Sequence, residues 1–190
     1  YQAARGGHHF DRILNISPEN DRQFEDDSMI FDAVSAIRKY NNMIQHGNTD
    51  DTIYRARGEA FFTLKEYDAA EWDYKKAREK EPFSFETFYN MLYVNYIRGR
   101  NAQSIKTIQE NERLIEQFDS SQQRVIDIMA KVFKKLAEID NNDNLQEKEK
   151  HFEKAKVFAS VKDNEIALIE INKALELDNT YGDAYAFRAY

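Results

Sequence analysis

The histidines are the residues best suited to metal binding or acid–base chemistry, and their spacing predicts neither. The four are His8, His9, His46 and His151, and none lies in an H-E-x-x-H pattern, in which two His one helical turn apart share a zinc ion. His8-His9 could contribute ligands to a metal site, and the alternative is a flexible N-terminal segment. We favour the second interpretation and expect no bound metal.

Other reactive groups are also missing from the patterns that catalysis uses. The sequence has no Cys, and hence no thiolate nucleophile or disulfide. No G-x-S-x-G element marks a serine nucleophile, and the glycines are too scattered to form a phosphate-binding loop. Carboxylates are numerous, but none is singled out by its spacing. We therefore expect a protein that is not an enzyme and that needs no cofactor.

The charge balance limits which partners the chain can bind. The formal net charge is −7, whereas nucleic-acid-binding proteins present basic surfaces to phosphates. Seven carboxylates lie between Asp11 and Asp32, against Arg12 and Arg22. This early segment is either a solvated surface or a docking site for a basic partner, and we favour the first. We predict no nucleic-acid binding.

Length and composition indicate one helical domain or a short array of repeats. The chain has 190 residues, of which two are Pro and six are Gly, too few for many tight reversals between strands. Long stretches are rich in Ala, Leu, Glu, Lys, Gln and Arg, which favour helix. No apolar run approaches the ~20 residues that span a bilayer. We expect a soluble all-α protein with no transmembrane segment, and the compartment stays open between cytoplasm and periplasm.

An internal repeat is most distinct over residues 51–84, DTIYRARGEAFFTLKEYDAAEWDYKKAREKEPFS. Aromatic, small and Pro residues stand there at fixed offsets. They are Tyr54, Gly58, Phe61, Ala70, Tyr74, Ala77 and Pro82. The pattern resembles the tetratricopeptide repeat (TPR) family, whose units are helix–turn–helix pairs of about 34 residues. The sequence departs from the family pattern at Arg57, where Leu is usual.

The spacing of these residues suits two antiparallel helices. Tyr54, Gly58 and Phe61 recur at i, i+4 and i+7, which places them on one face of a helix. Small side chains at Gly58 and Ala70 let the two helices approach closely. Pro82 cannot continue the second helix and forces the chain to turn. Such a pair leaves an apolar face uncovered, so it needs stacked neighbours.

Weaker copies of the motif lie in phase with this repeat. The matching residues are Ala36 and Tyr40 upstream, Phe88, Met91, Leu92, Ser104 and Ile108 downstream, Phe158, Ala167, Ile171 and Ala174 near the end, and Tyr185 and Ala189 after them. Residues 85–99 and 101–118 each read as one helix. The spacing from Ser104 to Ala167 falls short of two regular repeats, and an apolar stripe over residues 121–139 predicts an extra, irregular helix.

The resemblance implies a right-handed superhelical stack of antiparallel helix pairs, a TPR-like α-solenoid. The predicted organisation divides the chain into seven segments. In order they are a flexible or irregular N-terminal segment (1–16), a degenerate TPR-like repeat (17–50), a TPR (51–84), a degenerate TPR (85–118), an extra irregular helix with a polar loop (119–147), a TPR (148–181) and the incomplete start of a further repeat (182–190).

In the family, the first helices of successive repeats line a concave groove that binds segments of other proteins. The groove residues implied by the resemblance are Arg55, Glu59 and Phe62, then Tyr89, Asn90, Tyr93 and Tyr96, then Phe152 and Lys156. The tyrosines could instead pack against the irregular helix 121–139. Some family members clamp the C-terminal carboxylate of chaperones, but Glu59 stands where that clamp needs Asn, which disfavours this ligand.

The leading functional hypothesis is a protein–protein interaction scaffold or adaptor that binds a segment of a partner protein in this groove. An alternative is a structural module that self-associates through its last helix, whose Tyr185, Phe187, Ala189 and Tyr190 would expose apolar surface. Another is a regulatory or localising segment of a longer protein. Trp72 is expected to pack between helices rather than to contact a ligand.

Overall fold

The computed structural model describes the backbone of residues 22–189 and the side chains of residues 29–189. The predictions for His8, His9, segment 1–16 and Tyr190 lie outside these residues. The described residues form helices and no strands, which confirms the all-α prediction. The ten helices are α1 (Arg22–Gln45), α2 (Asp51–Thr63), α3 (Tyr67–Lys80), α4 (Phe85–Ile97), α5 (Asn101–Glu110), α6 (Glu112–Ile115), α7 (Ser120–Asp140), α8 (Glu147–Ser160), α9 (Asn164–Leu177) and α10 (Gly182–Arg188).

The described residues form two compact units. The first unit contains residues 22–100 and 111–123, and the second contains residues 101–110 and 124–189. In the first unit α1 packs on α2, α2 on α3, and α3 on α4. In the second unit α8 packs on α9, and α9 packs on α10. Within each unit these consecutive helices are therefore neighbours in space, an arrangement compatible with a helical repeat.

Most of the predicted packing residues are buried. Those buried are Tyr54, Gly58, Ala70, Tyr74, Ala77, Phe158, Ala167 and Ala174. Phe61 is half-buried in a cluster around Tyr74. Pro82 is exposed in the turn after α3 and is not part of the buried core.

Gly58 sets the distance between α2 and α3. A Cβ atom at this position would lie 2.7 Å from Cε1 of the Tyr74 ring and 3.2 Å from Cβ of Asp73. Tyr74 is 2% exposed and packs with Ala70 and with Val94 of α4, so its ring has no room to move aside. The predicted need for a small residue at Gly58 thus has a direct physical cause.

The second unit has its own apolar core. In α7 the buried side chains are Val125, Ile126, Met129, Val132, Phe133, Leu136 and Ile139. Another cluster joins α8, α9 and α10 through Ala155, Ile171, Leu175 and Ala184, with Phe152, Tyr181 and Phe187 packed against it. At its edge, Nζ of Lys148 donates to Oδ2 of Asp178 at 2.7 Å, which joins the start of α8 to the residue after α9.

One predicted helix is interrupted. Residues 101–118 form α5 and α6 instead of a single helix, and Asn111 between them has φ −120° and ψ 22°. The side-chain oxygen of Asn111 accepts a hydrogen bond from the guanidinium of Arg78 in α3. The break coincides with a tertiary contact that sequence periodicity does not encode.

The helix α2 ends in a Schellman turn around Lys65. The amide of Glu66 donates to the carbonyl of Phe61 at 2.9 Å, and the amide of Lys65 donates to that of Phe62 at 2.9 Å. These two bonds satisfy carbonyls that would otherwise lack partners at the helix end. The turn requires a left-handed residue, and Lys65 has φ 61°, a conformation that is costly for a residue with a Cβ.

The same turn recurs at the corresponding place of two further predicted repeats. It closes α4 around Gly99, with φ 65°, and α8 around Lys162, with φ 61°. Lys65, Gly99 and Lys162 are each the fifteenth residue of the predicted repeats 51–84, 85–118 and 148–181. Three stretches with different sequences therefore share one backbone geometry in one register.

Arg57, the departure from the family motif, forms a buried ion pair. Its Nε and Nη2 donate to Oδ2 and Oδ1 of Asp73 at 2.8 Å and 2.6 Å, the bidentate geometry that makes such pairs strong. Its Nη1 donates to Oδ1 of Asn41 in α1 at 2.7 Å. Asp73 is fully buried, and its hydrogen bond with Arg57 raises the pKa of the guanidinium. One side chain thus joins α1, α2 and α3.

The second unit buries a carboxylate at the same repeat place. Glu170 in α9 and Asp73 are each the twenty-third residue of their predicted repeats. Oε2 of Glu170 lies 2.7 Å from Nδ1 of His151 in α8, and Oε1 accepts from Nζ of Lys173 at 2.7 Å. His151 therefore joins α8 to α9.

We expect Lys65→Gly to raise the free energy of unfolding by about 1 kcal/mol, because Gly adopts a positive φ without the steric cost of a Cβ. The Lys65 side chain is exposed, so few contacts are lost. The matched control is Lys131→Gly at an exposed position inside α7, which should lose about 1 kcal/mol. Urea unfolding of both variants measures the difference, and a loss of stability in Lys65→Gly would contradict the prediction.

We expect Arg57→Leu, which installs the residue usual in the family, to lower the free energy of unfolding by about 3 kcal/mol, because it leaves the Asp73 carboxylate buried without a counter-charge. The double variant Arg57→Leu/Asp73→Ala should recover most of this loss, since both charges are then gone. Denaturant unfolding of the four proteins in this cycle gives the coupling energy. Additive losses in the double variant would show that the pair is not coupled.

Candidate functional site

Seven of the predicted groove residues lie together in the first unit, on α2 and α4. Successive members are about one helical turn apart, except that Asn90 directly follows Tyr89, as the repeat pattern predicts. We call the following set the α2–α4 face: Arg55, Glu59 and Phe62 of α2, with Tyr89, Asn90, Tyr93 and Tyr96 of α4.

Tyr93 is the centre of the aromatic part of this face. Its ring centroid lies 5.2 Å from that of Phe62, which joins α2 to α4. Along α4 it stacks on Tyr89 at 5.9 Å and on Tyr96 at 5.7 Å. Tyr89 and Tyr96 are 5% and 8% exposed, whereas Phe62 and Tyr93 are half-buried. Phe62 and Tyr93 are therefore the accessible aromatic side chains of this face, and the two buried tyrosines pack beside Tyr93.

The polar part of the face joins the same two helices. Nδ2 of Asn90 donates to Oε1 of Glu59 at 3.3 Å. Burial raises the pKa of Glu59, while Arg55 and Asn90 oppose this shift and Glu86 adds to it. The Nε atom of Arg55 is buried and has no hydrogen-bond partner in the part of the chain that the structure describes. Charged groups of both signs thus lie beside the aromatic pair.

The other two predicted groove residues lie in the second unit, on α8. Nζ of Lys156 lies 5.0 Å from the ring centroid of Phe152. The Phe152 ring packs against Tyr181 at 5.3 Å and against Phe187 of α10 at 5.8 Å. Phe152 is therefore part of the apolar cluster of α8, α9 and α10 as well as a predicted contact residue.

Exposed apolar residues on α9 and α10 mark a second surface of this unit. Leu168 is 48% exposed and Tyr185 is 44% exposed. Nη1 of Arg188, whose guanidinium lies over the Tyr185 ring, donates to Oδ1 of Asn172 at 3.3 Å. Of the residues predicted to expose apolar surface on the last helix, Tyr185 and Ala189 are exposed, whereas Phe187 is half-buried against the cluster of α8, α9 and α10.

The environment of Trp72 differs from the prediction that this residue packs between helices. It is 50% exposed, and one edge contacts Tyr54 with ring centroids 6.1 Å apart. Arg57 and Lys76 lie over the indole at 5.9 Å and 5.7 Å. One side of the ring is therefore packed, and periodicity alone did not indicate that the other side meets solvent.

The part of the chain that the structure describes contains neither a candidate metal cluster nor a candidate membrane-spanning helix. Among the side chains of residues 29–189, no group of three or more His, Cys, Asp or Glu could hold a metal ion. None of the described helices combines the length and the apolar content needed to cross a bilayer.

A scan against protein-family models finds none that matches this chain, and a search of curated proteins finds no match either. The likeness to TPR repeats therefore rests on the residue pattern and on the helices described above.

We expect Glu59→Gln to raise the free energy of unfolding at pH 7, because it removes a carboxylate whose burial is only partly compensated. Since folding raises the pKa of Glu59, the folded chain binds more protons than the unfolded chain as the pH falls through this pKa, and the wild type gains stability. The advantage of the variant should therefore shrink as the pH is lowered from 7 towards 4.5, the ordinary pKa.

Urea unfolding at a series of pH values measures this difference. Glu112→Gln, at an exposed position on α6, makes the same change in net charge and should leave stability nearly unchanged. If Glu59→Gln is the less stable protein at pH 7, the contacts of Glu59 with Asn90 and Arg55 outweigh its burial and the prediction is wrong.

Proposed function

We propose that this chain is a protein–protein interaction scaffold or adaptor that binds a segment of a partner protein along the α2–α4 face. In this proposal the helix pairs are TPR-like and stack in a right-handed superhelix, and the face is the wall of a concave groove. The proposal gives the chain no catalytic role and no cofactor.

The repeated turn geometry supports the architectural part of the proposal. A Schellman turn at the fifteenth place of three predicted repeats is the behaviour expected of units that share one helix-pair geometry. Sequential packing of α1 to α4 and of α8 to α10 is also what stacked repeats require, since each unit buries its apolar face against the next.

The single observation that carries the functional part is the pairing of Phe62 with Tyr93 across two helices, beside the polar contact of Glu59 with Asn90. Aromatic residues, and Tyr above all, supply a large share of the energy at protein interfaces. Polar groups next to them fix the orientation of the bound segment. Both ingredients stand on helices, so little conformational freedom is lost on binding.

We expect Tyr93→Ala to reduce capture of the partner by about tenfold, the effect of losing a central aromatic contact. The experiment is affinity capture on the immobilised chain, with recovered proteins quantified by mass spectrometry. Phe83→Ala is the matched control, because Phe83 is a 60% exposed aromatic residue in the turn between α3 and α4. Partners should be lost from the Tyr93 variant and kept by the control.

Tyr89 is a poor choice for this test, because it is 5% exposed and its truncation would leave a cavity that destabilises the fold. Circular dichroism should show the same helicity for the Tyr93 variant, the Phe83 variant and the wild type. Equal recovery of every protein by all three would show that partners bind elsewhere, and the proposed role of the α2–α4 face would fall.

A further inference from the structure

Negative charges outnumber positive charges beside the α2–α4 face. Glu59 on α2 and Glu86 on α4 act on each other electrostatically, since Glu86 contributes to the raised pKa of Glu59. Arg55, one turn before Glu59, is the cation that opposes this shift. Asn90, which bonds to Glu59 at 3.3 Å, is one turn after Glu86 on α4, so both carboxylates lie on the same side of this helix pair. Glu59, Glu86 and Arg55 together carry a negative charge, as does the whole chain at −7.

The compensation of Glu59 inside the protein is incomplete. Its contact with Asn90 is a single hydrogen bond of 3.3 Å between neutral and charged groups, which is longer than the usual distance for such bonds. Glu86 is exposed, and its Oε2 accepts from Oγ of Ser84 at 3.2 Å. A cation brought between the two carboxylates would offset both the repulsion between them and the burial of Glu59.

The aromatic pair lies immediately beside these charges. Phe62 is one turn along α2 from Glu59, and Tyr93 is one turn along α4 from Asn90. Both rings are half-buried, so each offers part of its surface to an apolar side chain.

Resting on the proposed function, we propose that the segment bound by the α2–α4 face is basic. A Lys or Arg side chain of the partner lies between Glu59 and Glu86, and a neighbouring aromatic or aliphatic side chain packs against Phe62 and Tyr93. An acidic segment would meet two carboxylates for one guanidinium, and like charges brought together at an interface are unfavourable.

The test is a selection of binding peptides from a random dodecapeptide phage library on the immobilised full chain. Selections are run in parallel on the wild type, on Tyr93→Ala, on Glu59→Gln/Glu86→Gln and on the control Glu112→Gln/Glu116→Gln. The control residues are exposed acids of the first unit outside the face, so both double variants change the net charge equally. Circular dichroism checks that all four proteins are folded.

We expect peptides selected on the wild type and on the control to be enriched in Lys or Arg next to an aromatic or aliphatic residue. This enrichment should disappear with Tyr93→Ala and with Glu59→Gln/Glu86→Gln. A fluorescein-labelled peptide from the wild-type selection should bind about tenfold more weakly to Glu59→Gln/Glu86→Gln in fluorescence anisotropy, and within about twofold of the wild type to the control.

The outcomes separate this inference from the proposed function. Peptides that depend on Tyr93 but lack basic residues, or that bind Glu59→Gln/Glu86→Gln as well as the control, would overturn the inference and leave the binding face intact. No enrichment that depends on Tyr93 would overturn both. Should the double variant fail to fold, Glu86→Gln alone replaces it, because Glu86 is exposed.

Discussion

The buried contact between Arg57 and Asp73 is the interaction on which the first unit depends. Gly58 and Tyr74 bring α2 and α3 so close that the neighbouring Asp73 is fully buried. A buried carboxylate is costly unless a counter-charge and hydrogen bonds satisfy it. Arg57 supplies both, and its third hydrogen bond to Asn41 makes the position of α1 depend on the same charge. Close packing and electrostatics are therefore two parts of one constraint.

The second unit meets the same constraint with other residues. Glu170 is buried at the repeat place of Asp73, and His151 and Lys173 are its partners. Lys154 stands at the repeat place of Arg57 and forms its ion pair with Asp140, the last residue of α7. A buried carboxylate therefore occurs at this place in both units, whereas the residues that donate hydrogen bonds to it differ. Burial requires only that some donor reach the carboxylate oxygens.

The candidate binding face is a consequence of how these helices are held. Tyr89 and Tyr96 are buried on either side of Tyr93 along α4 and stack on its ring, which limits the rotamers that Tyr93 can adopt. Phe62 meets the same ring from α2. A partner would then contact side chains that are already ordered, and the cost of ordering side chains is one of the quantities that separate weak from strong interfaces of equal area.

Local patterns in the sequence determined the helices and their pairing. The recurrence of Tyr54, Gly58 and Phe61 on one face of α2 depends only on adjacent helical turns, so it can be recognised without knowledge of the rest of the chain. The need for a small residue at Gly58 was predictable for the same reason, and so was the apolar face of α7. The candidate face was likewise predictable as a set of positions, because places in a repeat translate directly into faces of a helix.

Only the tertiary structure decided what depends on distant residues. The break at Asn111 coincides with a bond from Arg78, and the pairing of Arg57 with Asp73 crosses two helices. Which tyrosines of α4 are buried was also beyond the sequence, since Tyr89, Tyr93 and Tyr96 share one side and a helical period carries no information about the surfaces packed around it. Sequence periodicity specifies the side of a helix from which a side chain projects. Its burial and its ion pairs depend on which other helices pack on that side, and these are set by the tertiary structure.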